Sequence, residues 1–237
     1  MSEPAGPSVA IIPARGGSKR IPRKNIRDFL GVPLLARTVG MLHSTNLFDR
    51  VVVSTDDDEV AEVARGAGVE VPFQRNAALA DDDTPTVPVV ADALRRLGLD
   101  VSDARVCCVY PTAVLLQPEV LAEALHLLDD PTVDYVVPVA PFPAPIQRAL
   151  RVTDDDKCEM IWPENLAVRT QDLEQTYHDA GQFYWGSTDA WVSEQPIFGP
   201  RTRAVVLPLD SVQDIDTEED WVVAEQRFQL LRGGGTA

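Results

Sequence analysis

The sequence predicts an α/β protein with a doubly wound, mostly parallel β-sheet. Short apolar runs of the kind found in buried strands alternate along the chain with segments of helical periodicity. The length of 237 residues, 45% of them hydrophobic, suits one large domain with a substantial core. We therefore predict a single domain over residues 1–237, with an inserted excursion at about residues 141–177.

The strands are predicted from apolar runs, of which Val9–Ala10–Ile11–Ile12 is the first. The later runs are rich in valine and aromatic residues, which favour strands, and the core resumes at residues 182–185 after the excursion. The predicted strands cover residues 9–12, 51–55, 69–73, 106–110, 135–139 and 204–209.

The helices are predicted from apolar spacing and from end signals. One helix has Val60, Val63 and Ala64 on one face and stops at Gly68, and another begins with Pro118. The last helix starts at Thr217, and Trp221, Ala224, Phe228 and Leu231 follow it at helical spacing as core residues. Helices are predicted over residues 34–44, 58–67, 85–98 and 118–128, after Ser187, and from Thr217 onward.

The alternation of strands and helices breaks at residues 141–177. This stretch is rich in proline, aspartate and arginine and predicts a β-hairpin excursion. Such an insertion is suited to act as a dimerisation arm or a lid.

Composition excludes several classes of partner. A formal net charge of −16 argues against nucleic acid and against an anionic membrane surface. No segment approaches the ~18 apolar residues of a membrane span. Cys107, Cys108 and Cys158 are too few and too poorly spaced for a disulfide framework or a zinc site. Reduced thiols predict a cytoplasmic protein.

The positive charge is concentrated in one loop. Residues 15–27 contain six basic residues and no acid, whereas the other 224 residues contain 15 basic and 37 acidic residues. A strongly acidic protein that collects cations on one glycine-bearing loop is suited to bind a polyanion, and a phosphate chain fits best. The alternative is an ordinary basic turn.

The loop matches neither of the two common phosphate-binding patterns. It lacks the spacing of a Walker loop, and no third glycine opens the following helix as in a dinucleotide fingerprint. Its glycines could still present backbone N–H groups to phosphate oxygens, while lysine and arginine supply charge.

The full string over residues 11–26 closely resembles the signature of the CMP-sialic acid synthetase family. Residues 52–56 resemble the second strand of that family, residues 83–84 its nucleotide-side loop, and residues 213–217 its metal-binding segment. Residues 170–173 and 177–186 look like the branch that acts on pseudaminic acid. The resemblance covers nearly the whole chain.

This resemblance implies a Rossmann-like nucleotidyltransferase fold and a Mg²⁺-dependent, homodimeric cytidylyltransferase. The implied reaction joins CTP and a nonulosonic acid into the CMP-sugar and releases pyrophosphate. Pseudaminic acid is the expected sugar, with legionaminic or N-acetylneuraminic acid as the alternatives. A function of a different class is that of a catalytically inactive nucleotide-binding regulator.

The resemblance assigns the triphosphate to Arg15, Lys19 and Lys24, which would stabilise the departing pyrophosphate, and the cytidine side to Asn25. Arg20 and Arg23 are expected to be solvated or structural. The nucleotide base is assigned to Arg75 and the adjacent loop, although a surface arginine and a solvated acidic run are the alternatives. The implied CTP-binding residues are Ala14, Arg15, Gly16, Gly17, Ser18, Lys19, Lys24, Asn25, Arg75, Thr84 and Thr86.

Asp214 and Asp216 are two residues apart, so on an extended segment both carboxylates face the same way. Mg²⁺ uses one or two protein carboxylates together with substrate phosphates, and this pair meets that need. The alternative is that Asp216 caps the helix beginning near Thr217; the resemblance favours the metal.

Tyr110 stands where many sialic acid synthetases have glutamine, which argues against N-acetylneuraminic acid, although it could equally pack as a strand-end aromatic. Arg169 matches an arginine on the sugar side, suited to a carboxylate. His178 replaces a second arginine of those enzymes. The implied sugar-binding residues are Tyr110, Arg169, Gln171, Tyr177, His178, Gln182 and Tyr184.

Overall fold

The computed structural model describes residues 6–81 and 83–233. The described chain alternates between strands and helices, as predicted. The strands are β1 Ser8–Pro13, β2 Asp28–Phe29, β3 Val32–Pro33, β4 Arg50–Ser54, β5 Arg105–Val109, β6 Tyr135–Pro141, β7 Leu150–Val152, β8 Cys158–Met160, β9 Tyr177–Asp179, β10 Phe183–Ser187 and β11 Thr202–Val206. The helices are α1 Leu34–Thr45, α2 Asp58–Gly66, α3 Thr86–Leu97, α4 Pro118–Leu128, α5 Thr188–Val192 and α6 Glu218–Gly233.

The main sheet has the strand order β11-β6-β10-β5-β1-β4, with β9 added beside β6. Strand β1 pairs in parallel with β4 and β5, and β6 pairs in parallel with β11. Strand β10 lies antiparallel between β5 and β6, and β9 is also reversed. Five strands therefore run in one direction and two in the other, which confirms a mostly parallel α/β sheet.

Both faces of this sheet are covered. In β1, Ala10 and Ile12 pack into one hydrophobic cluster, while Val9 and Ile11 pack into the cluster on the opposite face. All four side chains are fully buried. Burial on both faces explains why the strands read as continuous apolar runs instead of alternating patterns.

The prediction of a strand over residues 69–73 was wrong. This stretch runs alongside the edge strand β4. It makes only two isolated parallel bridges, Val52 with Glu70 and Thr55 with Gln74. Pro72 lies between the two bridges and has no N–H to donate, so a continuous ladder cannot form there.

A short hairpin of β2 and β3 was not predicted from the sequence. Its two-residue turn, Leu30–Gly31, has positive φ angles of 54° and 84°, as in the tight turns that join antiparallel strands. Phe29 anchors the hairpin through edge-to-face contacts with Trp221 and Phe228, at 5.4 and 5.5 Å between ring centroids. The hairpin thereby ties the end of the basic loop to α6.

The predicted cap at the start of α6 is present. The Thr217 backbone N–H donates to Asp220 Oδ2 at 2.8 Å, and the Asp220 N–H donates back to Thr217 Oγ1 at 3.2 Å. This reciprocal pair satisfies N–H groups that a helix start otherwise leaves without partners. It also leaves the side chain of Asp216 available for other contacts.

The predicted hairpin excursion is present between β6 and β9. Strands β7 and β8 form a separate two-stranded sheet, and this arm exposes several apolar side chains. Leu150 is 58% exposed, Val152 69% and Leu166 73%. The dimerisation role of the arm stays a prediction.

Two further sequence expectations concern cysteines and membrane spans. Cys107 and Cys108 are buried and Cys158 is exposed, and all three are free thiols. Burial raises the pKa of the Cys107 and Cys108 thiols above the ordinary value. Over residues 6–81 and 83–233, none of the helices has the length and apolar character that crossing a bilayer requires.

Replacing Gly186 in β10 by alanine should destabilise the protein by about 1–3 kcal/mol, the usual cost of overpacking a core. A Cβ at this position would lie 2.6 Å from Trp191 Nε1 and 2.7 Å from Tyr135 Cδ1. Urea unfolding followed by tryptophan fluorescence measures the effect. Gly40→Ala is the control, because its Cβ meets no atom within 4 Å. Equal stability of the two variants would contradict the prediction.

Candidate active site

A cleft opens where the parallel strands β1 and β5 end, the edge at which α/β sheets bind ligands. Its volume is about 280 Å³. The basic loop forms one wall, residues 75–89 form another, and the residues after β5 form the floor. Predicted nucleotide or catalytic residues that line it are Arg15, Ser18, Lys19, Lys24, Asn25, Arg75, Thr84 and Thr86, and Tyr110 joins them from the predicted sugar side.

Gly16 lets the basic loop approach the start of α2. Its N–H donates to Asp56 Oδ1 at 3.1 Å, and a Cβ there would lie 2.3 Å from Asp57 Oδ2. Any larger residue would push the loop away from this carboxylate. Gly17 is exposed and has open space around it, so protein contacts do not demand glycine there. Ala14 is buried below the loop.

Arg23 anchors the loop instead of facing the cleft, as expected of a structural residue. Its guanidinium donates to both oxygens of Asp57, at 2.6 and 2.9 Å, and also contacts Glu59. Asp57 at the same time caps α2 by accepting from the Val60 N–H at 3.0 Å. The hydrogen bond from Arg23 is the largest cause of a lowered pKa of Asp57.

Lys24 joins the basic loop to the predicted metal segment. Its Nζ donates to the Ile215 carbonyl at 2.6 Å and lies 3.4 Å from Asp216 Oδ1. Arg20 pairs with the other oxygen of Asp216 at 2.8 Å while remaining largely exposed. Residues about 190 positions apart in the chain therefore meet at the edge of the cleft.

Asp214 and Asp216 form a pair of neighbouring carboxylates on this segment. The pKa of Asp214 is raised, first by loss of solvation and then by the charge of Asp216. The carboxylate of Asp216 is at the same time paired with Arg20 and with Lys24. Within the part of the chain that the structure describes, no group of three or more metal-ligating side chains occurs. The role of the pair in binding Mg²⁺ therefore stays a prediction.

Arg75 and Asn25 are buried polar residues, so Arg75 is not the surface arginine of the alternative. Arg75 is 6% exposed, and its Nε donates to Ser54 Oγ at 3.1 Å. Burial lowers its pKa. The Asn25 amide donates to the Arg15 carbonyl at 2.9 Å, which holds the loop backbone in place. Both residues line the cleft.

The loop before α3 is organised by Asp81, a residue that the sequence analysis treated only as part of a solvated acidic run. Its Oδ1 accepts from the Thr84 N–H at 2.6 Å and from Thr84 Oγ1 at 2.5 Å. Thr86, the first residue of α3, is hydrogen-bonded to the Tyr110 hydroxyl. Asp57 was also missed, although its position before a predicted helix is a recognisable capping signal.

The predicted sugar-binding residues are not brought together in this chain. Arg169, Gln171 and Tyr177 are exposed on the excursion, and none of them lines the cleft. His178 packs edge-to-face on Phe142 at 5.1 Å. Their predicted roles stay untested.

Gln182 and Tyr184 lie in the core beneath the floor of the cleft. Gln182 is 3% exposed, and its amide donates to the Ser211 carbonyl at 2.6 Å, which ties β10 to the segment leading to Asp214. Tyr184 packs edge-to-face on Tyr110 at 5.8 Å. Only Tyr110 of the seven predicted sugar-side residues lines the cleft.

Comparison with known proteins agrees with the geometry of this cleft. Residues 9–231 match the family profile described as "Cytidylyltransferase". The chain is 41% identical over 225 residues to a pseudaminic acid cytidylyltransferase of Campylobacter jejuni subsp. jejuni, covering 94% of this chain and 97% of that protein. It is 30% identical over 232 residues to a CMP-N,N'-diacetyllegionaminic acid synthase of Legionella pneumophila, covering 94% and 96%.

A solved structure supports the fold. The structure of a CMP:2-keto-3-deoxy-manno-octonic acid synthetase complexed with CTP superposes with a TM-score of 0.67, at 18% identity, over 96% of this chain and 99% of that one. At this low identity the likeness concerns the fold alone. It confirms the predicted Rossmann-like nucleotidyltransferase fold.

The Arg23–Asp57 pair should make stability depend on pH in acid. Because the pKa of Asp57 is lowered on folding, its contribution is present above the unfolded pKa of about 3.9 and is lost as pH falls through the folded value. Asp57→Asn keeps a good cap but loses the charge. We expect it to be less stable than the parent at pH 7 by at most about 1 kcal/mol, since the pair is partly exposed.

Urea unfolding at pH 7 and at pH 3 measures this difference. Arg23→Gln should show the same pH-dependent loss, whereas Asp154→Asn, an exposed acid in the β7–β8 turn, should show none. A destabilisation by Asp57→Asn that is equally large at both pH values would contradict the assignment.

Proposed function

Because the chain belongs to the cytidylyltransferase family and is a nucleotidyltransferase, we propose that it activates pseudaminic acid with CTP. In this reaction the anomeric hydroxyl of the sugar attacks the α-phosphorus of CTP. The bond from that phosphorus to the bridging oxygen breaks, pyrophosphate leaves, and the hydroxyl proton is released. The single observation that carries the proposal is the near full-length likeness to a pseudaminic acid cytidylyltransferase.

The cationic wall of the cleft supplies the chemistry that this transfer needs. Negative charge grows on the leaving pyrophosphate, so positioned cations lower the barrier. Arg15, Lys19 and Lys24 line the wall, and we assign the triphosphate to them. Ser18 lies on the same wall, and Gly17 precedes it on the loop.

Mg²⁺ would be held by Asp214 and Asp216. When bound there, it would neutralise phosphate charge and help to orient the triphosphate. Lys24 keeps this acidic segment beside the basic loop through its bond to the Ile215 carbonyl.

The base and ribose of CTP are assigned to the opposite wall. Arg75, held by Ser54, lies there with Thr84 and Thr86, while Asn25 secures the loop backbone at the cytidine end. The sugar is assigned to the Tyr110 side of the cleft. Arg169 is proposed for its carboxylate from the family resemblance alone, since it lies on the excursion and does not line the cleft.

Legionaminic acid is the second candidate substrate, supported by 30% identity to the Legionella enzyme. A catalytically inactive regulator is disfavoured, because the cationic side chains and the aspartate pair of a working site are all present. We also expect the protein to act in the cytoplasm, since its thiols are free.

The decisive experiment incubates the protein with CTP, Mg²⁺ and a panel of nonulosonic acids. Pyrophosphate release and product mass should identify CMP-pseudaminic acid as the main product. Faster turnover of legionaminic or N-acetylneuraminic acid would reassign the substrate, and tight CTP binding without any pyrophosphate release would favour the regulator.

Lys24→Ala should fold normally but lose at least about 100-fold in turnover, the usual effect of removing one group that stabilises transition-state charge. Circular dichroism checks the fold and pyrophosphate release measures the rate. Lys157→Ala, which removes an exposed lysine of the hairpin arm, is the control and should keep full activity. Full activity in Lys24→Ala would refute the role.

Asp216→Asn should raise the Mg²⁺ concentration needed for half-maximal rate by at least about tenfold, because one of the two carboxylates loses its charge. The rate is measured across a Mg²⁺ series at saturating CTP. Asp210→Asn, a nearby exposed acid, should leave the curve in place. An unchanged Mg²⁺ dependence in Asp216→Asn would count against the metal assignment.

The hairpin arm is proposed to form the homodimer by burying its exposed apolar side chains against a second copy. Leu166→Asp should convert the dimer into monomers of 25.9 kDa, because Leu166 is 73% exposed on the arm and a buried charge is costly. Analytical ultracentrifugation measures the mass. Val101→Asp, at a site that is 92% exposed away from the arm, should remain dimeric. A monomeric parent protein would refute the proposal.

A further inference from the structure

A groove between α1 and α6 lies outside the cleft described above. Its volume is about 360 Å³, which exceeds that of the cleft and suits a small molecule. Helix α1 forms one wall, the last turns of α6 form another, and the segment that leads into α4 closes the third side. We call this space the α1–α6 groove. None of the described residues that line it also lines the cleft.

Most of the lining of the groove is apolar. Met41 lines it from α1, Leu116 from the segment before α4, and Phe228 and Leu231 from α6. Phe228 is 8% exposed and packs edge-to-face on Phe29 at 5.5 Å between ring centroids, which fixes its ring. A preformed apolar surface of this kind suits the ring or chain of a small molecule.

Gly40 leaves space on the α1 side of the groove. It lies in the middle of α1, where glycine is less favourable than alanine, and it is exposed. A Cβ at this position would meet no atom within 4 Å, so packing within the described chain does not demand glycine there. Because Gly40 lines the groove, a large side chain at this position would take up part of its volume.

Two arginines give the groove positive charge. The guanidinium carbon of Arg37 lies 4.9 Å from the centroid of the Phe228 ring, and that of Arg232 lies 4.6 Å from it. Arg37 is fixed further, because its Nε and Nη2 groups donate to the carbonyls of Phe29 and Leu30. Both charges are therefore held beside the apolar surface that a ligand would contact.

Neither Arg37 nor Arg232 forms an ion pair with a carboxylate of residues 6–81 or 83–233. Burial and the charge of Arg232 lower the pKa of Arg37, against the opposing charges of Asp28 and Glu225. These two acids accept other hydrogen bonds, Asp28 from a backbone N–H of the β2–β3 turn at 2.8 Å and Glu225 from Trp221 Nε1 at 3.0 Å. The two guanidiniums thus suit an external anion, and the arginine fork fits a carboxylate or a phosphate.

We propose that the α1–α6 groove is a second binding site, which takes a small organic anion with its carboxylate or phosphate on Arg37 and Arg232 and its apolar body against Phe228. The site differs in kind from the cleft. The cleft collects several cations for a polyanion, whereas the groove places two arginines beside an apolar surface and suits a single anionic group. This inference does not depend on the proposed function.

Isothermal titration calorimetry with three naphthalene compounds tests the class of ligand. 1-Naphthyl phosphate and 2-naphthoate carry the two anionic groups, and at least one of them should bind at least about tenfold more tightly than neutral 2-naphthol, because charged hydrogen bonds are the strong ones. The anion that binds more tightly identifies the preferred group. Equal binding of all three compounds would overturn the proposal. So would no binding by either anion, as when a second copy of the chain covers the groove.

Variants of the groove test where the anion binds. Arg232→Gln should weaken its binding at least about tenfold, because this exposed side chain supplies one of the two charges. Arg65→Gln is the matched control, since Arg65 is an exposed arginine of α2 outside the groove, and it should change nothing. Gly40→Leu should abolish binding by filling the groove, whereas Gly40→Ala should retain most of it. Equal losses in Arg232→Gln and Arg65→Gln would overturn the proposal.

Lys24→Ala separates the groove from the cationic cleft. Binding of the anion should persist in Lys24→Ala with the parent affinity. Binding that is lost in Lys24→Ala and kept in Arg232→Gln would place the anion in the cleft and overturn the proposal. Circular dichroism and urea unfolding check that each variant is folded. Failure of the parent protein to release pyrophosphate from CTP and any sugar would refute the proposed function instead, and the calorimetry would still decide the groove.

Discussion

The rest of the site depends on one contact, which joins the basic loop to the acidic segment before α6. Lys24 makes it by donating to the Ile215 carbonyl beside Asp216. Like charges gathered in one loop repel one another, and anions at its base offset this repulsion. The fold supplies them from two sides, at Asp57 under Arg23 and at Asp216 under Lys24 and Arg20.

This arrangement divides the cations into two groups. Arg23 is used by protein carboxylates and holds the loop, whereas Arg15 and Lys19 line the cleft with Lys24. A strongly acidic protein can keep such a site selective, because its remaining surface repels polyanions while the cleft attracts one. The proposed cytidylyl transfer uses this division of the cations. The triphosphate carries several negative charges and needs several cations in one place, whereas the sugar carries one carboxylate and needs fewer charged contacts.

Features that depend on neighbouring residues in the sequence were predicted correctly more often than features that depend on tertiary contacts. Apolar runs, helix spacing and the Thr217–Asp220 cap are local signals, and the structure confirms the elements built on them. The strand prediction for residues 69–73 failed because Pro72 interrupts an otherwise strand-like sequence. The β2–β3 hairpin was missed because its strands have two residues each, and its stability comes from Phe29 packing on α6, which is a tertiary contact.

The sequence alone determined the fold class and the concentration of charge in one loop, because these follow from composition, periodicity and motif. Of the predicted site residues, the cations of the loop line the cleft together with Arg75, Thr84 and Thr86, whereas six of the seven predicted sugar-side residues do not. Only the tertiary structure decided which residues act together. It placed Lys24 on a segment about 190 residues away, buried Arg75 against Ser54, and set Tyr184 below Tyr110 with Asp179 behind it. Such pairings depend on the reversed strand β10 and on the β9–β10 turn, and no local pattern encodes distance across a sheet.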